Sequence, residues 1–346
     1  MSQDTFAVED GFPMDQNNAP LVTAVVPVYN HEKFVIESIR SILHQTYRNI
    51  ELIVINDGSK DHSHEMVSTL IEECKRRFVR FEYINRENIG LSATLNQALS
   101  MTKGKYFSAM ASDDIASPEK IELLVNALEE KGSTYAAAFG NALFIDNNGQ
   151  QISLDEAGRV TQAETSKTFS DYLEFRTLRG KHLDYRGSEF GSFVTLLSHN
   201  YLPAMSNLIR TDLIKQANGW TNGNTSEDWE MWRKLSKEFK FVYVDKPLAF
   251  YRWHDSNSVK TISDKLKLCS LLLLKNEKQY CVRNALIPLW RKAYASLLVP
   301  VLLDKRIALT EKLSVLNLSD MPYVLLYLAR RLAYKSLRMI INRETV

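Results

Sequence analysis

Leu21–Asp57 reads LVTAVVPVYNHEKFVIESIRSILHQTYRNIELIVIND, and two periodicities alternate within it. Leu21 to Val28 is an apolar run of the kind shown by a strand covered on both faces. Val35, Ile39, Ile42 and Leu43 then recur at the spacing of one helix face, and Glu51 to Ile55 is a second buried strand. A strand, a helix and a strand in so short a stretch predict parallel pairing through a right-handed crossover. Each strand runs out into polar residues: Tyr29-Asn30-His31 after the first and Asp57-Gly58-Ser59 after the second.

The same cycle continues downstream. A helix through Met66, Leu70 and Ile71 leads to a strand at Phe81 to Ile84, and a helix at Leu91 to Leu99 leads to a strand at Tyr106 to Met110. That strand ends at Ser112-Asp113-Asp114, and Pro118 is placed to open the next helix in its first turn, where a missing N–H costs nothing. The alternation predicts an α/β fold with a doubly wound, mostly parallel, Rossmann-like sheet. Such sheets bind ligands beyond the carboxyl ends of their strands, and Asp57, Asp113 and Asp114 fall there.

From about residue 134 the alternation fades. Tyr135 to Ile145 reads as strand, Asn147-Asn148-Gly149 as a turn, and 157–191 as a polar and aromatic stretch without a clean period, the sort of segment that binds ligands. The pattern resumes across Ser206 to Arg210 and Asp212 to Ala217, and after a loop a helix begins at Glu227. Phe241 to Val244 and Ala249 to Tyr251 read as two short strands that close the sheet. Beyond about Ser263 the chain reads as helix, with breaks expected at Pro288, Pro300 and Pro322. Residues 1–19, rich in Asp, Asn, Gln and Pro, read as a disordered leader. The expected organisation is therefore a leader, an α/β catalytic domain over 20–262 and a C-terminal helical extension over 263–346.

Composition narrows the classes of function. The chain has 346 residues, 45% hydrophobic and 24% charged, with a net charge of +2, so nothing in its charge calls for nucleic acid as a partner. Its 3 cysteines, Cys74, Cys269 and Cys281, lack the spacing of a zinc site or a disulfide framework, which fits a cytoplasmic setting. The apolar stretches Leu271 to Leu274 and Ala295 to Leu303 fall short of the ~20 residues that a membrane span needs.

Five segments occur in the order and approximate spacing of one known family: VVPVYNHEKFVIESIRSILHQTYRNIELIVINDGSKD, NIGLSATLNQAL, GKYFSAMASDD, SEDWEMWRKL and YRWHDSNS. Over residues 21 to about 258 the chain resembles a family-2 glycosyltransferase of the GT-A fold, with the helical tail outside the resemblance. The resemblance implies an inverting, non-processive transferase that takes a UDP- or dTDP-linked sugar as donor and a saccharide or lipid-linked saccharide as acceptor. It implies further that Pro27, Tyr29 and Asn30 form the nucleotide floor and that Asp57 accepts N3–H of uracil or thymine, a proton that cytosine lacks. Asn88 and Gly90 would lie in a loop that approaches the nucleotide. Asp113 would hold Mg²⁺ or Mn²⁺ against the diphosphate, with His254 as a further metal ligand and Arg252 reaching the diphosphate. Asp114 would bind the donor sugar or cap a helix. Relatives commonly read Asp-x-Asp at this point, whereas here Ala111 stands where the first acid often is.

Glu227 and Asp228 match the acidic pair of the family. The resemblance makes Asp228 the base that takes the proton of the acceptor hydroxyl, with Glu227 orienting it or touching the acceptor. Plainer readings are that Asp57 serves an Asp-Gly turn and that Glu227 and Asp228 sit in a first helical turn because the macrodipole favours acids there. Two competitors are a sugar-phosphate nucleotidyltransferase, whose Gly-rich segment with Arg or Lys after the first strand is missing from VPVYNHEK, and a non-catalytic nucleotide-binding scaffold. The setting implied by analogy is bacterial surface polysaccharide synthesis, as in O-antigen, lipopolysaccharide or capsule. Pro322 to Arg343 reads as an amphipathic helix carrying Arg330, Arg331, Lys335, Arg338 and Arg343, which suits peripheral attachment to an anionic membrane surface.

Overall fold

The computed structural model describes residues 5–6 and 19–331, apart from 163–167, 179–186 and 188. It divides into two compact units, one formed by 1–196 with 200–255 and the other by 197–199 with 256–346.

In the first unit the alternation read from the sequence is realised as β2 (Val22–Val28), α1 (Val35–Leu43), β3 (Ile50–Asp57), α2 (Ser63–Ser68), α3 (Ile71–Arg77), β4 (Arg80–Arg86), α4 (Leu91–Met101) and β5 (Tyr106–Ala109), preceded by a two-residue strand, β1 (Thr5–Phe6). There follow β6 (Ile115–Ala116), α5 (Lys120–Lys131), β7 (Tyr135–Ile145), β8 (Ser153–Asp155), β9 (Val160–Thr161), β10 (Thr168–Phe169), α6 (Tyr172–Leu178), α7 (Phe193–Ser198), β11 (Asn207–Arg210), α8 (Thr211–Gln216), α9 (Glu227–Leu235) and β12 (Lys240–Arg252). Among the described residues the main sheet runs β1-β12-β7-β11-β5-β2-β3-β4, with β6 beside β12. β2 pairs in parallel with both β3 and β5, whereas β11 is antiparallel to its two neighbours.

Alternate residues of β2 supply opposite cores, as the two-residue period of a strand requires. Val22, Ala24 and Val26 join Val35, Ile39 and Ile42 of α1 on one face. Val25 joins Leu95, Ala98 and Leu99 of α4 on the other, together with Ile53 and Phe107. Complete burial of a side chain such as Ile39 stabilises by roughly 1.5–3 kcal/mol. The chain passes from β2 to β3 and β4 on one side and returns to β5 on the other side of β2. The strand order therefore reverses between β2 and β5, where open α/β sheets place their ligands.

Two expectations from the sequence give way. Phe241 to Val244 and Ala249 to Tyr251 belong to one long strand, β12, which follows β7 in parallel with register shifts around Pro247. Proline cannot donate to a ladder, so the strand bulges past it without ending. In the second unit, α10 (Ser258–Thr261), α11 (Ser263–Asn276), α12 (Lys278–Arg283), α13 (Ile287–Leu303) and α14 (Leu309–Val315) follow one another, and Pro300 lies inside α13. The break comes earlier, at Ala285, whose φ is 58°, and Pro288 sits in the first turn of α13. Burial of Leu298, Val299 and Val301 offsets the backbone bond that Pro300 forfeits. Trp290 donates its indole N–H to the Leu274 carbonyl at 2.6 Å, and Tyr294 its hydroxyl to Val315 at 2.8 Å. No described helix is long and apolar enough to cross a membrane. Of the basic tail, Arg330 and Arg331 lie in helical residues 321–331, while Lys335, Arg338 and Arg343 lie outside the described residues.

Candidate active site

The turn after β2 is stitched to the loop after β3. Asn30 takes the left-handed conformation at φ 55°, which its short polar side chain tolerates. Its amide donates to Ser59 Oγ at 2.9 Å, and its Oδ1 accepts the Lys60 amide at 2.7 Å. Pro27 pairs in register with Ile55, and Tyr29 projects from the rim, 48% exposed.

Asp57 closes β3 with its carboxylate almost wholly buried. Oδ1 accepts the Ile89 amide at 2.8 Å and Oδ2 the Gly90 amide at 3.0 Å, while Arg86 pairs with the same carboxylate. The side chain of Asn88 donates to the Asp57 carbonyl at 2.8 Å, so Asp57, Asn88 and Gly90 form one cluster at the start of α4. Gly58 permits this approach: at φ +68°, a Cβ on it would stand 2.5 Å from the Asn88 amide nitrogen.

Beyond β5, Asp113 lies beneath two imidazoles. His254 Nε2 is 3.0 Å from Asp113 Oδ2, and His31 Nε2 is 3.5 Å from the same oxygen. Burial raises the Asp113 carboxyl, but the His254 hydrogen bond and the nearby His31 more than offset this and hold it below the usual range. Burial lowers His31, and Asp113 opposes it. Asp113 Oδ1 is buried with no hydrogen-bond partner. A ligating atom from each of His31, Asp113 and His254 lies within 4.8 Å of the others. A buried carboxylate oxygen without a donor, beside two imidazole nitrogens, fits a divalent cation.

Asp114 and Arg252 hold this loop in place. Asp114 is 2% exposed, and its Oδ1 accepts the Arg252 amide at 3.0 Å. Burial, with Asp113 adding to it, pushes its carboxyl well above the usual range. The residue that precedes α5 is Glu119, so Asp114 does not cap that helix. Arg252 has no exposed surface. Its Nε donates to the Asp113 carbonyl at 2.9 Å, its Nη1 to the Asp146 carbonyl at 2.7 Å and its Nη2 to Glu37 at 2.5 Å. The guanidinium also lies 4.8 Å from the Phe34 ring. With these three bonds made inside the protein, Arg252 braces the loop that carries Asp113.

The acidic pair opens α9. Asp228 Oδ2 accepts the Asn200 side-chain amide at 2.9 Å, and Oδ1 the Trp229 amide at 2.6 Å. Burial raises the Asp228 carboxyl, and these bonds only partly offset it. Glu227 is pushed up to about 8, first by burial and then by Asp228. Arg176 of α6 donates to the Asn200 carbonyl at 3.0 Å and lies over Tyr172, which meets Tyr251 edge to face at 5.6 Å. After burial, the charges of Arg176, Asp228 and Asp114 act on the Tyr172 hydroxyl, so that hydroxyl is within electrostatic reach of both acids. Trp229 donates to the Leu196 carbonyl and Trp232 packs on Phe139, as core residues do, and Trp253 binds the Gly158 carbonyl.

The loop before α9 is tied to α4, because Ser92 donates to the Asn224 carbonyl at 2.7 Å. Asp57 therefore anchors one end of a chain of contacts that leads to Asp228 at the other. His31, Tyr172, Arg176 and Asn200 escaped sequence reasoning. His31 adjoined residues singled out there, yet a lone histidine carries no spacing that marks a ligand. The other three fall in or next to the aperiodic stretch.

Residues 23–193 match the family described as glycosyl transferase family 2. An uncharacterized glycosyltransferase of Rickettsia typhi is 40% identical over 256 residues, covering 73% of this chain and 71% of that protein. Another, from Rickettsia felis, is 39% identical over 253 residues, and the chain spans only 37% of its length. The chain likewise spans less than half the length of several other curated relatives that it matches. Among solved structures, a mannosyltransferase from Pyrobaculum calidifontis in complex with GDP-Man and Mn²⁺ superposes with a TM-score of 0.56 at 14% identity, over 96% of this chain and 84% of that one. S. aureus TarS in complex with UDP-GlcNAc superposes with a TM-score of 0.51 at 15% identity, over 81% of each chain. At these identities the likeness concerns the fold.

Proposed function

The chain belongs to glycosyl transferase family 2, and on that premise we propose that it moves a single sugar, with inversion, from a nucleotide-sugar to a saccharide acceptor. One observation supports the reading: Asp228, a carboxylate of raised proton affinity, and Asp114, the chain neighbour of Asp113, both act on the Tyr172 hydroxyl.

Asp228 takes the proton from the acceptor hydroxyl as it attacks the anomeric carbon. Its raised pKa brings it nearer the working pH of a general base. Asn200 and the Trp229 amide keep one lone pair on each oxygen engaged and so fix the direction of the others. Glu227 stands beside it as a largely protonated acid at neutral pH and orients the base or the acceptor. Asp57 lies where a nucleobase would meet the β3 end, and its carboxylate suits uracil or thymine N3–H, hence a UDP- or dTDP-linked donor. Guanine, which presents N1–H, satisfies the same acceptor, whereas cytosine does not. Tyr29, with Pro27 and Asn30, supplies the floor, and Asn88 and Gly90 supply the loop beside it. Asp113 and His254 would hold Mg²⁺ or Mn²⁺, which when bound neutralises charge on the departing diphosphate. Arg252 and Asp114 position that pair.

The acceptor we propose is a saccharide, free or lipid-linked, in the making of a bacterial surface glycan, approached through the aromatic side formed by Tyr172 and Tyr251. Attachment to anionic membranes through the basic tail accompanies this proposal. Equal pelleting with anionic liposomes of the full chain and a chain ending near Asp320 would remove it. The transfer reading itself is tested by screening nucleotide-sugars for thermal stabilisation with and without Mn²⁺, followed by turnover with saccharide acceptors. A folded protein stabilised by no nucleotide-sugar would end the proposal.

A further inference from the structure

His31 belongs to none of the candidate residues that the sequence marks, yet it stands at the reversal of strand order, close to Asp113. Three observations single it out. Its Nε2 is directed at Asp113 Oδ2, the oxygen that His254 also approaches. Its Nδ1 is held 2.8 Å from the buried Ser112 Oγ, which orients the ring in the way that partners of metal-bound histidines do. The two imidazoles stand 6.1 Å apart at 88° to each other, with Phe34 against both, so they converge on one carboxylate and do not stack together. The second carboxyl oxygen of Asp113 is buried there without a donor.

We propose that His31 is a third protein ligand of the metal, and that the resulting set of two imidazoles and one carboxylate selects Mn²⁺-class ions over Mg²⁺. The chemistry follows from the donors. Hard oxygen donors suit Mg²⁺, which gives up its water reluctantly, whereas imidazole nitrogen favours first-row transition ions. A second consequence concerns coupling. His31 follows Tyr29 and Asn30 in one turn that is bonded to Ser59, Lys60 and Ser63, so the metal site and the nucleoside floor share a rigid element. The inference rests on the transferase reading only in assigning the remaining coordination positions to diphosphate oxygens.

The test is Mn²⁺ binding to the nucleotide-free, full-length protein, followed by electron paramagnetic resonance with Mg²⁺ as competitor and with electron spin-echo detection of nitrogen couplings. The expected result is one Mn²⁺ per chain, coupled to two imidazole nitrogens and held at least about tenfold more tightly than Mg²⁺. His31→Ala should lose one coupling and weaken Mn²⁺ by at least about tenfold, the lower end of what loss of even an outer-sphere partner costs. Equal affinity for the two ions, or a single nitrogen coupling in the unaltered protein, overturns the proposal and needs no variant to be read. A His31→Ala protein that melts like its parent without metal and binds Mn²⁺ unchanged overturns it as well. Two couplings with no response to any nucleotide-sugar would leave the metal site standing and sink the transferase reading. Nucleotide-sugar binding supported equally by Mg²⁺ and indifferent to His31→Ala would do the reverse.

Discussion

Asn200 donates its side-chain amide to Oδ2 of Asp228 at 2.9 Å while its own carbonyl receives the Arg176 guanidinium. The carboxylate proposed as the base is thus held from outside its own helix. Asp228→Asn is expected to keep donor binding and lose transfer by about 10²–10⁴-fold, the usual worth of a positioned base. Donor titration beside turnover measures both, and unchanged turnover would refute the assignment. Asn200→Ala removes a bond that favours the ionised form, so the acid limb of the kcat profile should move to higher pH. A merely structural Asn200 would lower the rate without moving that limb.

Glu227 links stability to pH. Its folded pKa of about 8 lies above the ordinary 4.5, so between those values the folded chain keeps a proton that the unfolded chain has released. Its contribution is fully present below about pH 4.5 and is lost as pH rises towards 8. Glu227→Gln removes this term. Melting curves from pH 5 to 8.5 should show the variant gaining on the parent as pH rises, and a constant difference would contradict the buried-acid account.

Asp57 serves two masters, the 89–90 amides and, on our proposal, the nucleobase. Asp57→Asn should weaken UDP by about tenfold or more, since hydrogen bonds to a charged group are worth about 1.5–3 kcal/mol, and should narrow the preference for UDP over CDP. Calorimetric titration of both nucleotides tests this. An equal loss for UDP and CDP would mean that Asp57 only holds the loop.

Arg252 is wholly buried, whereas its partner Glu37 is 52% exposed. Arg252→Ala strands the Asp113 and Asp146 carbonyls and leaves the Glu37 carboxylate unpaired, and should cost about 3 kcal/mol or more in urea unfolding. Arg252→Lys should recover little of it, because an ammonium lacks the fork that meets three acceptors in different directions. Glu37→Gln should cost under about 1 kcal/mol, as pairs screened by solvent do. Similar losses for Arg252→Ala and Glu37→Gln would show that the ion pair alone matters.

Much of the fold was legible in the chain. Leu21–Asp57 and the segments after it alternate between two-residue and helical periods, and burial on both sheet faces enforces those periods residue by residue. In the sequence Pro247 breaks the pattern of β12 into two short runs, and it is pairing with β7 that carries the ladder past the bulge. Stretch 157–191 stayed opaque because its aromatic residues pack on one another across elements: Phe175 and Trp253 stand 6.0 Å apart.

Local periodicity sufficed to place Asp57 and Asp113 at strand ends, because a strand's length and burial are written in its own neighbours. Which groups then face each other was a matter of tertiary structure. His31 meets Asp113 because β2 and β5 adjoin where the strand order reverses, and Arg252 is consumed as a brace because β12 passes behind Asp113 and Asp114. Distances of that kind depend on chain segments far apart in sequence, and no spacing along the chain encodes them.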